Sequence, residues 1–217
     1  MTPERFDIYD DQQHWIGTAL RSEVHAKGYW HRSFHCWIVR DEGEQRRVLF
    51  QRRRDIKDTF PGCYDITAAG HLTAGEQLQD ASRELEEELG VHVSFEALTY
   101  LLTATQQLQG EVRGVPFIDR EFSAVYGLCL NQPLEAYVLQ PSEVDSLYEV
   151  PLDDLLALFR SEIDVIQAIG VQTQPSSDHA AYEPERIVRE IRATEFVPHG
   201  TAYYTDVLES LYHVPKD

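Results

Sequence analysis

The chain has 217 residues, with 37 Asp and Glu side chains against 19 Lys and Arg, so its formal net charge is −18. This acidity disfavours broad electrostatic binding to nucleic acid or to anionic membranes, because binding to either requires a net basic protein surface. Hydrophobic residues make up 42% of the chain, which is enough for a core, so the charge does not indicate disorder.

Secreted and membrane-spanning classes are not indicated either. No apolar run approaches the roughly 18 residues that a spanning helix needs, and the N-terminus, MTPERFDIYDDQQHWIG, lacks the apolar segment of a secretory signal. The cysteines, Cys36, Cys63 and Cys129, are too widely spaced for a CxxC metal site or a disulfide framework. We therefore expect a cytoplasmic protein without nucleic-acid or membrane partners.

The first half of the chain is expected to form short strands separated by turns. Arg32–Arg40 and Arg47–Gln51 are apolar-rich runs on either side of a polar turn. Pro61 and Gly62 mark a second turn, and Tyr64–Ala69 is the next predicted strand.

A loop at Gly70–Glu76 leads into a predicted helix at Leu78–Leu89. The helix should end at Gly90, because glycine is a common C-terminal cap. The elements predicted beyond it are strands at Thr99–Gln107, Ile118–Leu130 and Glu143–Val150 and a helix at Leu152–Phe159.

A linker candidate, Thr173–Asp178, divides the chain into a main domain, residues 1–172, and a C-terminal extension, residues 173–217. Within the extension, Pro184–Thr194 and Ala202–Tyr212 are predicted helices, since proline suits a first helical turn. About forty residues would be marginally stable alone, so we expect the extension to pack on the main domain.

The predicted helix at Leu78–Leu89 has two distinct faces. At about 100° per residue its leucines and Ala81 fall within one arc, which we expect to be buried. Glu84, Glu87 and Glu88 share a second face, because positions i, i+3 and i+4 are neighbours on a helix. A divalent cation would remove the repulsion between these carboxylates. A solvated acidic face is the alternative explanation.

The segment 70–91, GHLTAGEQLQDASRELEEELGV, resembles the signature of the Nudix hydrolases: Gly, five residues, Glu, seven residues, then Arg-Glu-aliphatic-x-Glu-Glu-x-Gly-aliphatic. The matching residues are Gly70, Glu76, Arg83, Glu84, Leu85, Glu87, Glu88, Gly90 and Val91. One departure occurs, because six residues, not seven, separate Glu76 from Arg83. We place the missing residue in the loop before the helix, where it leaves the helical faces unchanged.

This resemblance implies an α+β fold, the Nudix α/β/α sandwich, with a mixed, mainly antiparallel sheet and extra C-terminal helices. The ligands that it implies for Mg²⁺ or Mn²⁺ are the carboxylates of Glu84, Glu87 and Glu88 and the carbonyl of Gly70. Glu76 and Arg83 are expected to be structural or to lie outside the ligand shell. Nudix proteins are frequently dimers, so a homodimer is one expected assembly.

The implied reaction is hydrolysis of a phosphoanhydride in a small-molecule substrate, either a nucleoside diphosphate or a diphosphate linked to another moiety. It requires neutralised phosphate oxygens and an activated water, both of which a divalent metal supplies. The general base would be one of the three glutamates or a metal-bound hydroxide. The attached moiety would be selected by loops outside the signature, at Gln106–Pro116 and in the C-terminal extension.

Residues 21–156 resemble the Nudix subgroup related to type I isopentenyl-diphosphate isomerases. The motifs that carry this resemblance are RSEVHAKGYWHRSFHCWIV, QRRRDIKDTFPGCYDITAAGH and FIDREFSAVY. The second metal site that it implies comprises His25, His31, His71, Asp119 and Glu121. The basic residues that it implies for binding the diphosphate are Arg21, Arg53 and Lys57. Without the resemblance, these histidines could be structural and the arginines an ordinary solvated run.

The catalytic cysteine of the isomerases is replaced here by Ala69, in the sequence AAGH. Isomerisation needs acid–base groups on both faces of the alkene, so this loss disfavours it. We therefore expect a hydrolase on an isomerase-like scaffold. The alternatives are an isopentenyl-diphosphate isomerase and a non-catalytic nucleotide-binding module.

Overall fold

A computed structural model of the protein describes residues 3–172 and 184–216, and the predicted linker at Thr173–Asp178 lies outside them. The strands are β1 Arg5–Tyr9, β2 Trp15–Leu20, β3 Trp30–Glu42, β4 Gln45–Arg53, β5 Tyr64–Asp65, β6 Ala68–His71, β7 Thr99–Val112, β8 Val115–Cys129, β9 Val144–Pro151, β10 Ile166–Gln172 and β11 Glu185–Ile191. The α-helices are α1 Arg21–Lys27, α2 Arg83–Leu89, α3 Leu152–Phe159 and α4 Thr201–Leu211. Single 3₁₀ segments occupy Leu78–Ser82, Phe95–Ala97, Leu134–Ala136 and Ala193–Glu195.

The strands form one mixed sheet in which antiparallel pairing dominates. Its main path runs β11, β10, β9, β4, β3, β1, β2, while β8 joins β3 and β7 joins β8. β3 and β8 are parallel, with Trp30–Val39 beside Arg120–Cys129, and the other ladders named here are antiparallel. The expected mixed, mainly antiparallel sheet is confirmed.

The central strand β3 is buried continuously from Ser33 to Val39, as expected for a strand that is covered on both faces. Successive side chains alternate between the faces. Phe34 and its even-numbered neighbours pack in one core cluster with α2, whereas Trp37 and Val39 pack in a second cluster with α3 and α4. This arrangement is the α/β/α sandwich that the sequence predicted.

The face of β3 that carries Trp37 becomes polar toward the start of the strand. His31, Ser33 and His35 occupy alternate positions there, and their partners in the parallel register on β8 are Glu121, Ser123 and Val125. Period-two alternation therefore places imidazoles, hydroxyls and carboxylates from two adjacent strands on one face. This polar end of the sheet is one wall of the candidate active site.

The predicted helix at Pro184–Thr194 is wrong. Glu185–Ile191 is β11, which pairs with β10 residue by residue, and a 3₁₀ segment at Ala193–Glu195 follows it. The free edge of β10 offers a complete ladder of backbone partners, and Ile187 and Val188 suit a pleated strand. The second C-terminal helix is confirmed as α4.

Other predicted elements agree with the structure, with corrected limits. α3 has the predicted ends, Leu152–Phe159, and α2 ends at Gly90, which adopts the left-handed conformation. The predicted strand at Tyr64–Ala69 is two strands, β5 and β6. Four elements were not predicted, namely β1, β2, α1 and β10. No helix in the described ranges is both long and apolar enough to cross a membrane.

Candidate active site

The predicted glutamate helix and the predicted diphosphate-binding cations lie on one cavity of about 620 Å³. The predicted site residues that line it are Arg21, Arg53, Lys57, Gly70, His71, Arg83, Glu84, Glu87 and Glu88. We refer to this cavity as the cleft. It brings together side chains from α1, β4, β6 and α2 and from the loop after β4.

Two of the three α2 glutamates that line the cleft, Glu84 and Glu88, are buried. Glu88 Oε2 accepts hydrogen bonds from the side-chain amide of Gln51 at 3.0 Å and from the backbone N–H of Ala69 at 3.3 Å. Burial, reinforced by nearby carboxylates, raises the pKa of Glu84 to about 7 and that of Glu88 to about 8. Glu87 is 57% exposed. Ionisation of the buried carboxylates is unfavourable without a nearby positive charge. This face of α2 is therefore suited to a bound cation.

Gly70 is required where β6 passes α2. A Cβ atom built at Gly70 would lie 2.1 Å from both the carboxylate carbon and Oε1 of Glu84. Any larger residue would push this carboxylate out of its position on the wall of the cleft. Ligation of a metal by the Gly70 carbonyl stays a prediction.

Arg83 joins the signature residues on either side of it. Its Nε donates to Glu76 Oε1 at 2.6 Å, and Nη2 donates to Glu76 Oε2 at 3.1 Å. Nη1 lies 2.8 Å from Glu84 Oε1 and 3.1 Å from Glu87 Oε2. Glu76 therefore pairs with Arg83 despite the short spacing, and Arg83 in turn contacts two carboxylates of the cleft.

The missing residue was predicted in a loop, but most of the interval from Glu76 to Arg83 is the 3₁₀ segment Leu78–Ser82. A 3₁₀ helix turns about 120° per residue, whereas an α-helix turns about 100°. Five 3₁₀ residues thus rotate the chain about as far as six α-helical residues. Arg83 is paired with Glu76 across this segment, and the position of the missing residue stays a prediction.

The histidines and acidic residues of the predicted second metal site converge from four elements. One ligand atom from each of His25, His31, His71 and Asp119 lies within 4.8 Å of the others. Glu121 adjoins them, with Oε1 3.0 Å from His71 Nε2 and 3.7 Å from His31 Nε2. The structure therefore brings together all five residues of this predicted set, which we call the histidine cluster.

The histidine cluster contains buried polar atoms without hydrogen-bond partners among the described residues, namely His25 Nε2, His31 Nε2 and Asp119 Oδ1. Such atoms are costly unless a ligand or ion satisfies them. Burial lowers the pKa of His31 and lowers that of His25 to about 4, so both imidazoles are neutral near pH 7. Neutral imidazoles with a carboxylate are a suitable donor set for a first-row transition-metal ion.

The two carboxyl groups of the cluster have opposite pKa shifts. Burial, and then the charge of Glu121, raises the pKa of Asp119 well above its usual range. The pKa of Glu121 is lowered well below its usual range, because contacts with His35 and His71 outweigh the effect of burial. Glu121 Oε2 also accepts a 2.7 Å hydrogen bond from the Ser33 hydroxyl. Glu121 is therefore the ionised member of the pair.

Each predicted diphosphate-binding cation is held by a carboxylate. Arg21 donates to both oxygens of Asp58, at 3.0 and 3.1 Å, and lies 3.0 Å from His71 Nδ1. Lys57 donates to Glu143, and Arg53 donates to a carboxylate on β5. These charge-assisted hydrogen bonds fix the orientation of the three cationic side chains before a ligand binds.

A smaller cavity of about 50 Å³ lies behind the cleft, and we call it the inner cavity. Both cavities are lined by Arg53, Ala69, Gly70 and His71. Polar side chains outside the predicted metal and diphosphate ligands also line the inner cavity, namely Ser33, His35, Thr59, Asp65, Gln106 and His199. Of these, Gln106 and His199 lie in the segments predicted to select the attached moiety. Period two along β3 could have identified Ser33 and His35. No local signal identifies the others, because only the fold brings them here.

Ala69, which stands at the position of the isomerase cysteine and carries no thiol, lines both cavities. Cys63 is not among the described residues that line either cavity. Cys63 therefore supplies no thiol to the described lining of either cavity.

The fold and this site define a Nudix protein. The model of the NUDIX domain family matches residues 29–168, so the chain belongs to this family. It is 36% identical over 211 residues to an uncharacterized Nudix hydrolase of Clostridium acetobutylicum, covering 97% of this chain and 98% of that protein. It is also 38% identical over 158 residues to Nudix hydrolase 3 of Arabidopsis thaliana, covering 71% of this chain but 20% of the plant protein.

The isomerase-like character also appears in these comparisons. An isopentenyl-diphosphate Delta-isomerase of Kocuria rhizophila is 33% identical over 144 residues, covering 64% of this chain and 76% of that enzyme. Among solved structures, DR0079 of Deinococcus radiodurans has a TM-score of 0.51 at 20% identity, covering 73% of this chain and 90% of that one. At this identity the structural likeness concerns the fold alone.

Proposed function

We propose that the protein hydrolyses the phosphoanhydride of a nucleoside diphosphate, or of a diphosphate linked to another moiety, with Mg²⁺ or Mn²⁺. One observation carries the proposal. The cleft of about 620 Å³ places three α2 glutamates on the same surface as three basic side chains that reach it from other elements. Hydrolysis of a diphosphate requires positive charges near its oxygens and a metal ion at the phosphoanhydride bond that is cleaved. The basic side chains of this surface are suited to the first role and its glutamates to the second.

The basic side chains would bind and orient the diphosphate. The guanidinium groups of Arg21 and Arg53 offer planar donors for phosphate oxygens, and Lys57 adds a compact charge. Each is already held by a carboxylate, so little side-chain entropy would be lost on binding. Their role is to hold the reacting phosphoryl group against α2.

Glu84, Glu87 and Glu88 would hold the divalent ion. When bound, such an ion neutralises phosphate oxygens and lowers the pKa of coordinated water. A general base works best when its pKa is close to the working pH. A carboxylate of this face that does not coordinate the ion is therefore a candidate general base, and no single glutamate is assigned that role.

The histidine cluster would hold a second cation. Its unpartnered atoms, His25 Nε2, His31 Nε2 and Asp119 Oδ1, have the donor chemistry for one. His71 belongs both to this cluster and to the lining of the cleft, so the two sites are adjacent. We therefore include the cluster in the catalytic centre.

The test is hydrolysis of a substrate panel with Mg²⁺ or Mn²⁺: nucleoside diphosphates, nucleotide sugars, dinucleotides and isopentenyl diphosphate. Glu87→Gln should reduce turnover by on the order of 100-fold or more. Glu86→Gln is the matched control, because Glu86 is 59% exposed on another face of α2. Equal activity in both variants would contradict a metal-binding role for the Glu84/Glu87/Glu88 face.

Isopentenyl-diphosphate isomerisation is the second candidate, because the histidine cluster matches the metal site that the isomerase resemblance implies. Ala69 disfavours it, since this residue lines both cavities and carries no thiol. Conversion of isopentenyl to dimethylallyl diphosphate in the panel would overturn the hydrolase proposal. Binding without turnover of any substrate would favour a nucleotide-binding module.

A further inference from the structure

The segment that precedes α4 forms a wall of the inner cavity. Val197 and His199 line this cavity together with Asp119 and Glu121 of the histidine cluster. The segment is fixed in place, because the Val197 N–H donates to the Tyr64 carbonyl at 2.9 Å. The matched family region ends at residue 168, so this wall lies outside it.

The His199 side chain is 7% exposed and makes two hydrogen bonds. Its Nε2 lies 3.0 Å from Asp65 Oδ1, and its Nδ1 lies 2.7 Å from Gln106 Oε1. Both ring nitrogens are therefore engaged with the protein. His199 has no free nitrogen for proton exchange with a substrate, so a direct acid–base role is disfavoured.

Asp65 connects His199 to Arg53. The second oxygen of Asp65, Oδ2, accepts a 3.0 Å hydrogen bond from Arg53 Nη1. Although burial opposes ionisation, the contacts with His199 and Arg53 lower the pKa of Asp65 to about 2. Asp65 is therefore a buried carboxylate with one partner from β4 and one from the segment before α4, and its Oδ1 also accepts a 2.9 Å hydrogen bond from the Ile66 N–H.

The remaining contacts of Arg53 leave little freedom. Its Nε and Nη2 donate to the Thr59 carbonyl at 3.3 and 2.9 Å, and Nη2 also donates to the Thr59 hydroxyl at 3.1 Å. Together with the bond to Asp65, these contacts leave one N–H of Nη1 for a ligand, counting partners among the described residues. The direction of that N–H follows from the plane of the guanidinium, which Thr59 holds on one side and Asp65 holds at Nη1 itself.

We propose that His199 is a positioning residue. It holds Asp65, and through Asp65 it holds the Arg53 guanidinium in the orientation that binds the substrate diphosphate. The inference rests on the proposed function, because it takes Arg53 as a diphosphate-binding residue. Under this proposal the C-terminal region contributes a residue that supports substrate binding, in addition to packing on the main domain.

The experiment measures the affinity for inorganic pyrophosphate by calorimetry with saturating Mn²⁺, so that no turnover is required. His199→Leu should weaken pyrophosphate binding on the order of tenfold. His199→Gln keeps an N–H donor at a similar reach and should recover most of the affinity. His213→Leu is the control, since His213 is an exposed histidine beyond the end of α4.

A double-mutant cycle separates positioning from a general structural effect. In an Arg53→Gln background, His199→Leu should cause no further loss of pyrophosphate affinity, because the two side chains act through one contact. Equal losses in both backgrounds, or wild-type affinity in His199→Leu, would overturn the inference. Wild-type protein that does not bind pyrophosphate would overturn it too, whereas binding without hydrolysis of the panel would overturn only the proposed function.

Discussion

At the scale of single residues, Glu84 and Glu88 bind their protons more tightly in the folded chain than in an unfolded one. Burial raises their pKa values from 4.5 to about 7 and about 8. A raised folded pKa contributes stability that is present below the unfolded pKa and is lost as the pH rises through the folded pKa. We therefore expect these groups to destabilise the metal-free protein progressively between about pH 4.5 and pH 8.

Thermal unfolding with EDTA and with Mn²⁺ across this pH range measures the effect. Mn²⁺ should raise the melting temperature more near pH 8 than near pH 5, since the cation binds the ionised carboxylates. Glu88→Gln removes one titrating group and should flatten the metal-free profile relative to wild type. An identical pH profile in the variant would mean that Glu88 ionises normally.

Gly70 gives a steric prediction at the same scale. Gly70→Ala should destabilise the protein by about 1–3 kcal/mol, the usual cost of overpacking, and should weaken Mn²⁺ binding by displacing the Glu84 carboxylate. Chemical denaturation and Mn²⁺ titration measure these effects. In a Glu84→Ala background the three nearest atoms to the new Cβ are removed. A cost of Gly70→Ala that is unchanged in that background would contradict the steric explanation.

The residues of the site differ in how far the sequence alone predicts their positions. Glu84 and its neighbours on α2 could be predicted because helical periodicity puts them on one face. His25, Asp119 and Glu121 were predicted only through resemblance to a family, since no local rule brings α1 near β8. Asp65 and His199 are 134 positions apart, and their contact depends on the packing of α4 over the sheet. Sequence patterns carry no signal for such a pair.

At the scale of elements, the 3₁₀ segment Leu78–Ser82 suggests that an inserted residue can be accommodated. Adding one alanine after Asp80 allows the segment to rewind as an α-helix, which turns about as far with six residues. We expect the variant to keep its melting temperature and its Mn²⁺ affinity within twofold, with a slightly stronger helical circular dichroism signal.

The matched control is an alanine inserted after Glu86, which rotates Glu87 and Glu88 by about 100° relative to Glu84. This variant should lose Mn²⁺ affinity, because the three carboxylates no longer share a face. Equal losses in the two insertions would show that the 3₁₀ winding does not compensate for the short spacing.

The strand β11 illustrates why elements are harder to predict at the ends of a chain. Residues 184–194 begin with proline and contain charges that suit a helix, so local preference favoured one. The exposed edge of β10 favours a strand instead, because every residue of β11 pairs with a residue of β10. Strand formation depends on such non-local partners more than on intrinsic preference.

At the scale of the whole molecule, the net charge of −18 must be reconciled with an anionic substrate. The charged side chains of the cleft number four cations and six anions, excluding histidine, so its formal charge is −2 with all groups ionised. Each divalent ion adds two positive charges. One ion on the Glu84/Glu87/Glu88 face therefore makes the cleft neutral, so attraction for a diphosphate depends on the metal.

Removal of metal provides the direct test of this balance. We expect the affinity for pyrophosphate to fall on the order of 100-fold when EDTA replaces Mn²⁺, because a charge pair at contact distance is worth several kcal/mol at a protein surface. Readdition of Mn²⁺ should restore binding in wild type and in the Glu86→Gln control, but not in Glu84→Gln. Affinity that survives in EDTA would mean that Arg21, Arg53 and Lys57 suffice, despite the carboxylates that hold them. The acidic cleft would then bind pyrophosphate without a metal ion, although its formal charge of −2 predicts that a metal ion is required.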